Sequence, residues 1–116
     1  MKKDDSVFLE HILDSIEKIE EFTRNVSKSD FLNNVQLQDA VVRRIEILGE
    51  AAKNISQIIV EKHPEVEWKK MIGTRDKLVH GYFGVDLEIT WLVVKDDLPE
   101  LKKKIKNILH NFKITK

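Results

Sequence analysis

The chain contains no cysteine, which excludes disulfides, thiolate metal sites and a cysteine nucleophile. It has only four glycines and two prolines, too few for a loop-rich β-sandwich. Neither charge sign is in excess: twenty Lys and Arg balance twenty Asp and Glu, so overall charge cannot draw a polyanion from a distance. Any phosphate-binding site therefore needs local clustering of basic residues. Long apolar runs are missing too. Met1 leads into Lys2-Lys3-Asp4-Asp5, unlike a signal peptide, and no later run is long enough to span a membrane. These absences fit a cytoplasmic protein without a membrane partner.

What the chain does have is the balance of a soluble helical protein, 41% hydrophobic and 34% charged over 116 residues. That length allows one domain, expected over residues 1–116, to bury a core without covalent staples. Phe8, Ile12, Ile16, Ile19 and Phe22 recur at helical spacing, with Asp5 or Ser6 available as a cap. Polar residues interrupt the pattern from Thr23 to Lys28, and Ser29 or Asp30 is a candidate cap for a short turn bringing in Phe31 and Leu32. A second long helix is predicted from about Val35 to Val60, with a seam of Leu37, Val41, Ile45, Leu48, Ala52, Ile55 and Ile59. Ala40, Ile47, Ala51 and Ile58 widen it to a second face. His63-Pro64 ends that helix, because proline disfavours the helical region in the residue before it. A third helix starts near Glu65 to Glu67 and carries Trp68, Met71, Ile72 and Val79. Asp86 is the expected N-cap of Leu87–Val94, with Ile89 and Val93 on its seam. Pro99 fits the first turn of a last helix, after Asp96-Asp97, whose seam is Leu101, Ile105, Ile108, Leu109 and Phe112. The expected architecture is all-α, a single bundle of four to five helices.

The stretch Arg75-Asp76-Lys77-Leu78-Val79-His80-Gly81-Tyr82 stands out chemically. Arg75 and His80 would lie about 140° apart on an ideal helix and about 7.5 Å along it, so they do not share a face. They converge only if the helix ends near His80 or the long arginine reaches around. Gly81 can take positive φ and end it there. A histidine at a helix C-terminus is favoured in its charged form by the dipole. Arginine grips two phosphate oxygens at once and histidine moves a proton, so the pair suits chemistry on phosphate. The same spacing also suits a histidine that merely closes a helix, and a tyrosine that is merely half-buried.

This stretch resembles the R-x4-H-x-Y motif of the HepT-like HEPN family. The second motif position there is usually polar and most often Asn; here it is Asp76. Residues Asp39 to Lys53, with Gly49-Glu50-Ala51-Ala52, resemble the family's second helix. Trp68 to Arg75, Phe83 to Asp86 and Asp97 to Leu101 are similar to its later blocks, so the likeness covers nearly the whole chain in order. The resemblance implies a HEPN-like helical homodimer with the two motifs facing across a cleft. It also implies the toxin of a toxin–antitoxin pair, a metal-independent ribonuclease that needs no cofactor. The implied partner is a minimal nucleotidyltransferase antitoxin that transfers AMP from ATP onto the motif tyrosine. Carried over, Arg75 and His80 are the catalytic pair and Tyr82 the AMP acceptor, with Asp76 and Gly81 supporting.

Cleaving RNA through its own 2′-hydroxyl needs a base for that hydroxyl and an acid for the leaving 5′-oxygen. One chain offers one motif histidine; a twofold axis would supply two, with two arginines for the phosphate charge. The second face of the Val35–Val60 helix is the expected dimer surface. Arg43, Arg44, Lys69, Lys70 and Lys77 are candidate RNA contacts, or else a solvated face. Glu50 is expected to pair with an arginine, and Asp76 either to orient Arg75 or His80 or to repel phosphate more than the usual Asn would. His11, His63 and His110 lack metal-ligand spacing, and no metal is expected. Trp68 and Trp91 are expected in the core. RNA rather than DNA is the expected substrate. A non-catalytic acceptor of nucleotidyl transfer is the alternative, and a free nucleotide substrate is a weaker one.

Overall fold

Asp4 opens the first helix, α1 (Asp5–Thr23), by accepting the Ser6 backbone N–H at 2.9 Å. The cap therefore lies ahead of the expected Asp5 or Ser6, and it satisfies one of the donors a helix start leaves over. This computed structural model describes residues 4–80 and 86–115, without the side chains of 78–80 and 113–115. The buried stripe of α1 is Leu9, Ile12, Ile16 and Ile19, closed by Thr23, whose hydroxyl donates to the Ile19 carbonyl at 2.8 Å. Phe8 packs at the margin of the core and Phe22 is exposed, so the stripe is turned slightly from the one expected.

Asn25 takes φ 60°, which asparagine tolerates, and reverses the chain into α2 (Lys28–Leu32). Ser27, rather than Ser29 or Asp30, caps it. Asp30 sits three residues on and answers with its own carboxylate, completing a capping box. Phe31 is thereby driven fully into the core against Trp91, ring centroids 5.3 Å apart.

The predicted helix from Val35 to Val60 is two helices, α3 (Val35–Lys53) and α4 (Gln57–Lys62). Asn54 closes α3, its side-chain amide donating to the Glu50 carbonyl at 2.9 Å. Ser56 caps α4 by accepting the Ile59 N–H. The break is held from across the bundle: Asp5 accepts the Ser56 N–H at 2.8 Å and its hydroxyl at 2.7 Å. The apolar seam survives the break, since Val41, Ile45, Leu48, Ala52, Ile55 and Ile59 are all buried. The second face does not survive as one surface. Ala51 is buried within this chain, while Ile58 is exposed on the separate α4.

α4 ends at His63, as Pro64 requires. α5 (Trp68–His80) follows, anchored by Trp68, whose indole N–H donates to the His63 carbonyl at 3.0 Å. Asp86 caps α6 (Leu87–Leu92), accepting the Glu88 and Ile89 N–H groups. Ile89 is exposed, contrary to expectation; Thr90, Trp91 and Val94 are the buried side chains here. The expected break before Pro99 is instead a π-helical turn (Val93–Asp97) running straight into α7 (Leu98–Thr115). Pro99 supplies the reason. It lacks the N–H that would bond the Lys95 carbonyl, and its ring crowds that carbonyl, so a wider turn relieves both problems. The Leu98 N–H reaches back to the Val93 carbonyl to close it.

The fold is all-α: α1, α3, α5 and α7 form the bundle, with α2, α4 and α6 as short helices beside them. α1 packs on α3 and α7, and α3 packs on α5. Ile12, Ile16, Ile19, Phe31, Val41, Ile105 and Ile108 are fully enclosed at the centre. Each such side chain contributes roughly 1.5–3 kcal/mol by leaving water. Trp68 and Trp91 belong to the core, as expected. Among the described residues, no helix is long and apolar enough to cross a membrane.

Candidate active site on the fifth helix

α5 presents one face to α3. Trp68, Met71 and Ile72 occupy the first two turns of that face and pack on the core. Arg75 follows four residues after Met71, so the same helical period turns it inward as well. Gly49 of α3 makes room for it. A Cβ at Gly49 would lie 2.7 Å from Arg75 Cγ and 3.3 Å from the Met71 carbonyl oxygen. Real side chains do not approach so closely. The two helices therefore meet where α3 has no side chain and α5 has an arginine stem.

The guanidinium is then gripped at both ends. Nη1 donates to Asp76 at 2.9 Å, and Nη2 lies 3.2 Å from a Glu50 carboxylate oxygen. The Arg75 side chain is 21% exposed, and its Nε is buried without a hydrogen-bond partner among the described residues. The Asp76 hydrogen bond above all, and then the Glu50 charge, raise the Arg75 pKa above its ordinary value although burial opposes them. The group is a permanent cation. Glu50 pairs with an arginine, as expected, and Asp76 is hydrogen-bonded to Arg75.

α5 stays helical as far as His80, so the backbone does not unwind between Arg75 and His80. The His80 side chain, Gly81 and Tyr82 lie outside the described residues. The expected basic patch is dispersed in part. Arg44 reaches Asp14 of α1 at 3.7 Å, Arg43 meets Glu46 at 3.4 Å, and Lys70 meets Asp97 at 3.3 Å. Asp97 also raises the Lys70 pKa, through its hydrogen bond first and its charge second. Lys69 is exposed. Lys70 and Lys77 do share one groove, running between α5 and α6 beside Ile89 and Leu92. His63 lies 3.1 Å from Glu65.

Sequence reasoning missed Gly49. The signal was available: a glycine inside a helix costs about 1 kcal/mol relative to alanine, and so calls for a packing reason. Here that reason is the arginine opposite.

An all-α bundle with an arginine pinned on the helix that carries Arg-x4-His defines a narrow class of protein. Residues 12–108 match the family model described as "Ribonuclease HepT-like", and the chain belongs to that family. It is similar to a protein of Thermococcus cleftensis named "Probable ribonuclease HepT", 47% identical over 108 residues, which are 93% of this chain and 98% of that one. It is also similar to a Methanocaldococcus jannaschii protein named "Gamma-glutamylcyclotransferase and putative RNase", 50% identical over 109 residues. The match takes in 94% of this chain but only 49% of that protein, so the chain spans about half its length. No solved structure matches.

Proposed function

We propose that the protein is a metal-independent endoribonuclease acting as the toxin of a toxin–antitoxin pair. Its site is composite, with Arg75 and His80 from each of two copies in a homodimer. The observation that carries this reading is the guanidinium of Arg75, held at the α3–α5 contact in its charged form on the motif helix. One imidazole takes the proton from the RNA 2′-hydroxyl as that oxygen attacks phosphorus. The other gives a proton to the departing 5′-oxygen. A 2′,3′-cyclic phosphate and a 5′-hydroxyl result. The arginines hold the phosphate oxygens while charge builds on them. The antitoxin, a minimal nucleotidyltransferase, transfers AMP from ATP to the phenolic oxygen of Tyr82 and releases pyrophosphate. The added bulk and negative charge fill the place an RNA phosphate would take beside Arg75.

The test is RNA cleavage in EDTA by the wild type and by His80→Ala. Cyclic phosphate ends from the wild type, and intact RNA with a folded His80→Ala, are the expected results. Intact RNA at high wild-type concentration rejects the reading.

One observation favours the alternative of a non-catalytic acceptor: two carboxylates already occupy Arg75. Tyr82→Phe separates the readings. A ribonuclease with that change still cuts RNA but escapes its antitoxin, whereas a pure acceptor loses every activity.

A further inference from the structure

Glu50 stands beside Gly49 on the same turn of α3, so one turn of that helix meets both the stem and the head of Arg75. The other carboxylate on the guanidinium, Asp76, is the next residue along α5 and moves with Arg75. Among the described residues, Glu50 is the carboxylate that pairs the guanidinium with a different helix. From this we infer that Glu50 is a positioning residue, fixing the rotation of the Arg75 guanidinium relative to the bundle; the inference rests on the ribonuclease reading of Arg75.

Arginine has five N–H donors. Asp76 accepts from Nη1, Glu50 forms an ion pair with Nη2 at 3.2 Å, and Nε is buried. Among the described residues, N–H donors therefore remain on both Nη atoms for a phosphate while the head stays paired. A clamp on an already charged group does not create charge; it selects orientation. Its contribution should lie in the chemical step rather than in RNA binding, because misplacing a catalytic group by about 1 Å costs about 100-fold in rate. The opposite role is also physically defined. Glu50 could compete with phosphate for Nη2, and its removal would then tighten RNA binding.

The experiment uses the full chain as wild type, Glu50→Gln and Glu50→Ala. Glu50 is more than half exposed, so neither change opens the core. Two readouts are taken: kcat and KM for RNA cleavage in EDTA, and the NMR signal of the Arg75 Nε–H. The chain has four arginines, Arg24, Arg43, Arg44 and Arg75, so that signal is assigned by its loss in Arg75→Lys. Glutamine keeps an acceptor oxygen in the same place. Expected for Glu50→Gln are a protected Nε–H and a kcat within about threefold of wild type. Expected for Glu50→Ala are faster Nε–H exchange and a kcat lower by about tenfold or more, with KM within about threefold.

Three results overturn the inference. One is an Nε–H signal and a kcat unchanged in Glu50→Ala. Another is a lower KM with kcat kept, which makes Glu50 a competitor of phosphate. The third is a Glu50→Gln as impaired as Glu50→Ala, which makes charge rather than geometry the requirement. If the wild type cuts no RNA, the ribonuclease reading fails by itself, and the NMR arm alone decides whether Glu50 holds Arg75.

Discussion

Replacing Gly49 with alanine and Gly73 with alanine should change stability in opposite directions. Both glycines lie inside helices, in α3 and α5, and each substitution gains about 1 kcal/mol of helix propensity. At Gly73 nothing lies within 4 Å of the new methyl group, so that gain stands. At Gly49 the methyl would come 2.7 Å from Arg75 Cγ, closer still to Arg75 Cβ, and 3.3 Å from the Met71 carbonyl. The obstructing atoms are backbone and the root of a side chain, which cannot swing aside, so α3 and α5 must part. Overpacking of this kind costs roughly 1–3 kcal/mol, and here it belongs at the upper end. Subtracting the propensity gain leaves a net loss of about 1–2 kcal/mol for Gly49→Ala. At about 4–8 °C per kcal/mol for a domain near this size, Tm should fall by roughly 4–16 °C. Gly73→Ala should raise it by a few degrees. Differential scanning calorimetry of the two variants beside the wild type measures both. A higher Tm for Gly49→Ala would refute the close approach of the helices at Arg75, and with it the structural basis of the site.

Two further substitutions test the packing of α1 in the bundle. Ser15 is fully buried on α1 with its hydroxyl unpartnered among the described residues, a condition that costs about 1–3 kcal/mol, so Ser15→Ala should raise the urea midpoint. A lower midpoint would mean that the hydroxyl has found a partner. Asp5→Ala removes both hydrogen bonds to Ser56 and should cost about 1.5–3 kcal/mol in urea unfolding, since the acceptor is charged and half-buried. An unchanged midpoint would show that the junction between α3 and α4 does not depend on α1.

The helices were legible where their cause is local. The seam from Val41 to Ile59 and the Asp86 cap follow from spacing and from one side chain reaching its own helix start. The junction at Asn54–Ser56 was not legible, because part of what fixes it is Asp5, 51 residues away in the chain. An apolar period runs unchanged through such a break. Ile89 misled because α6 is short and turns Thr90 and Trp91 inward, which leaves Ile89 on the solvent side. At the site, the likeness of Arg75-Asp76-Lys77-Leu78-Val79-His80 to a family motif singled out the arginine, and Glu50 was foreseen as a partner. Gly49 was not foreseen, because its role appears only when a second helix lies across it.

Arg75→Lys offers the most direct test that a fixed guanidinium does the work. Lysine carries the same charge but cannot present two parallel donors to a phosphate. The measurement is the single-turnover rate of RNA cleavage in EDTA, alongside circular dichroism and Tm. A rate lower by about 100-fold or more in a variant with wild-type helicity is the result expected. Wild-type cleavage by Arg75→Lys would contradict the claim, leaving the arginine as no more than a strut between two helices.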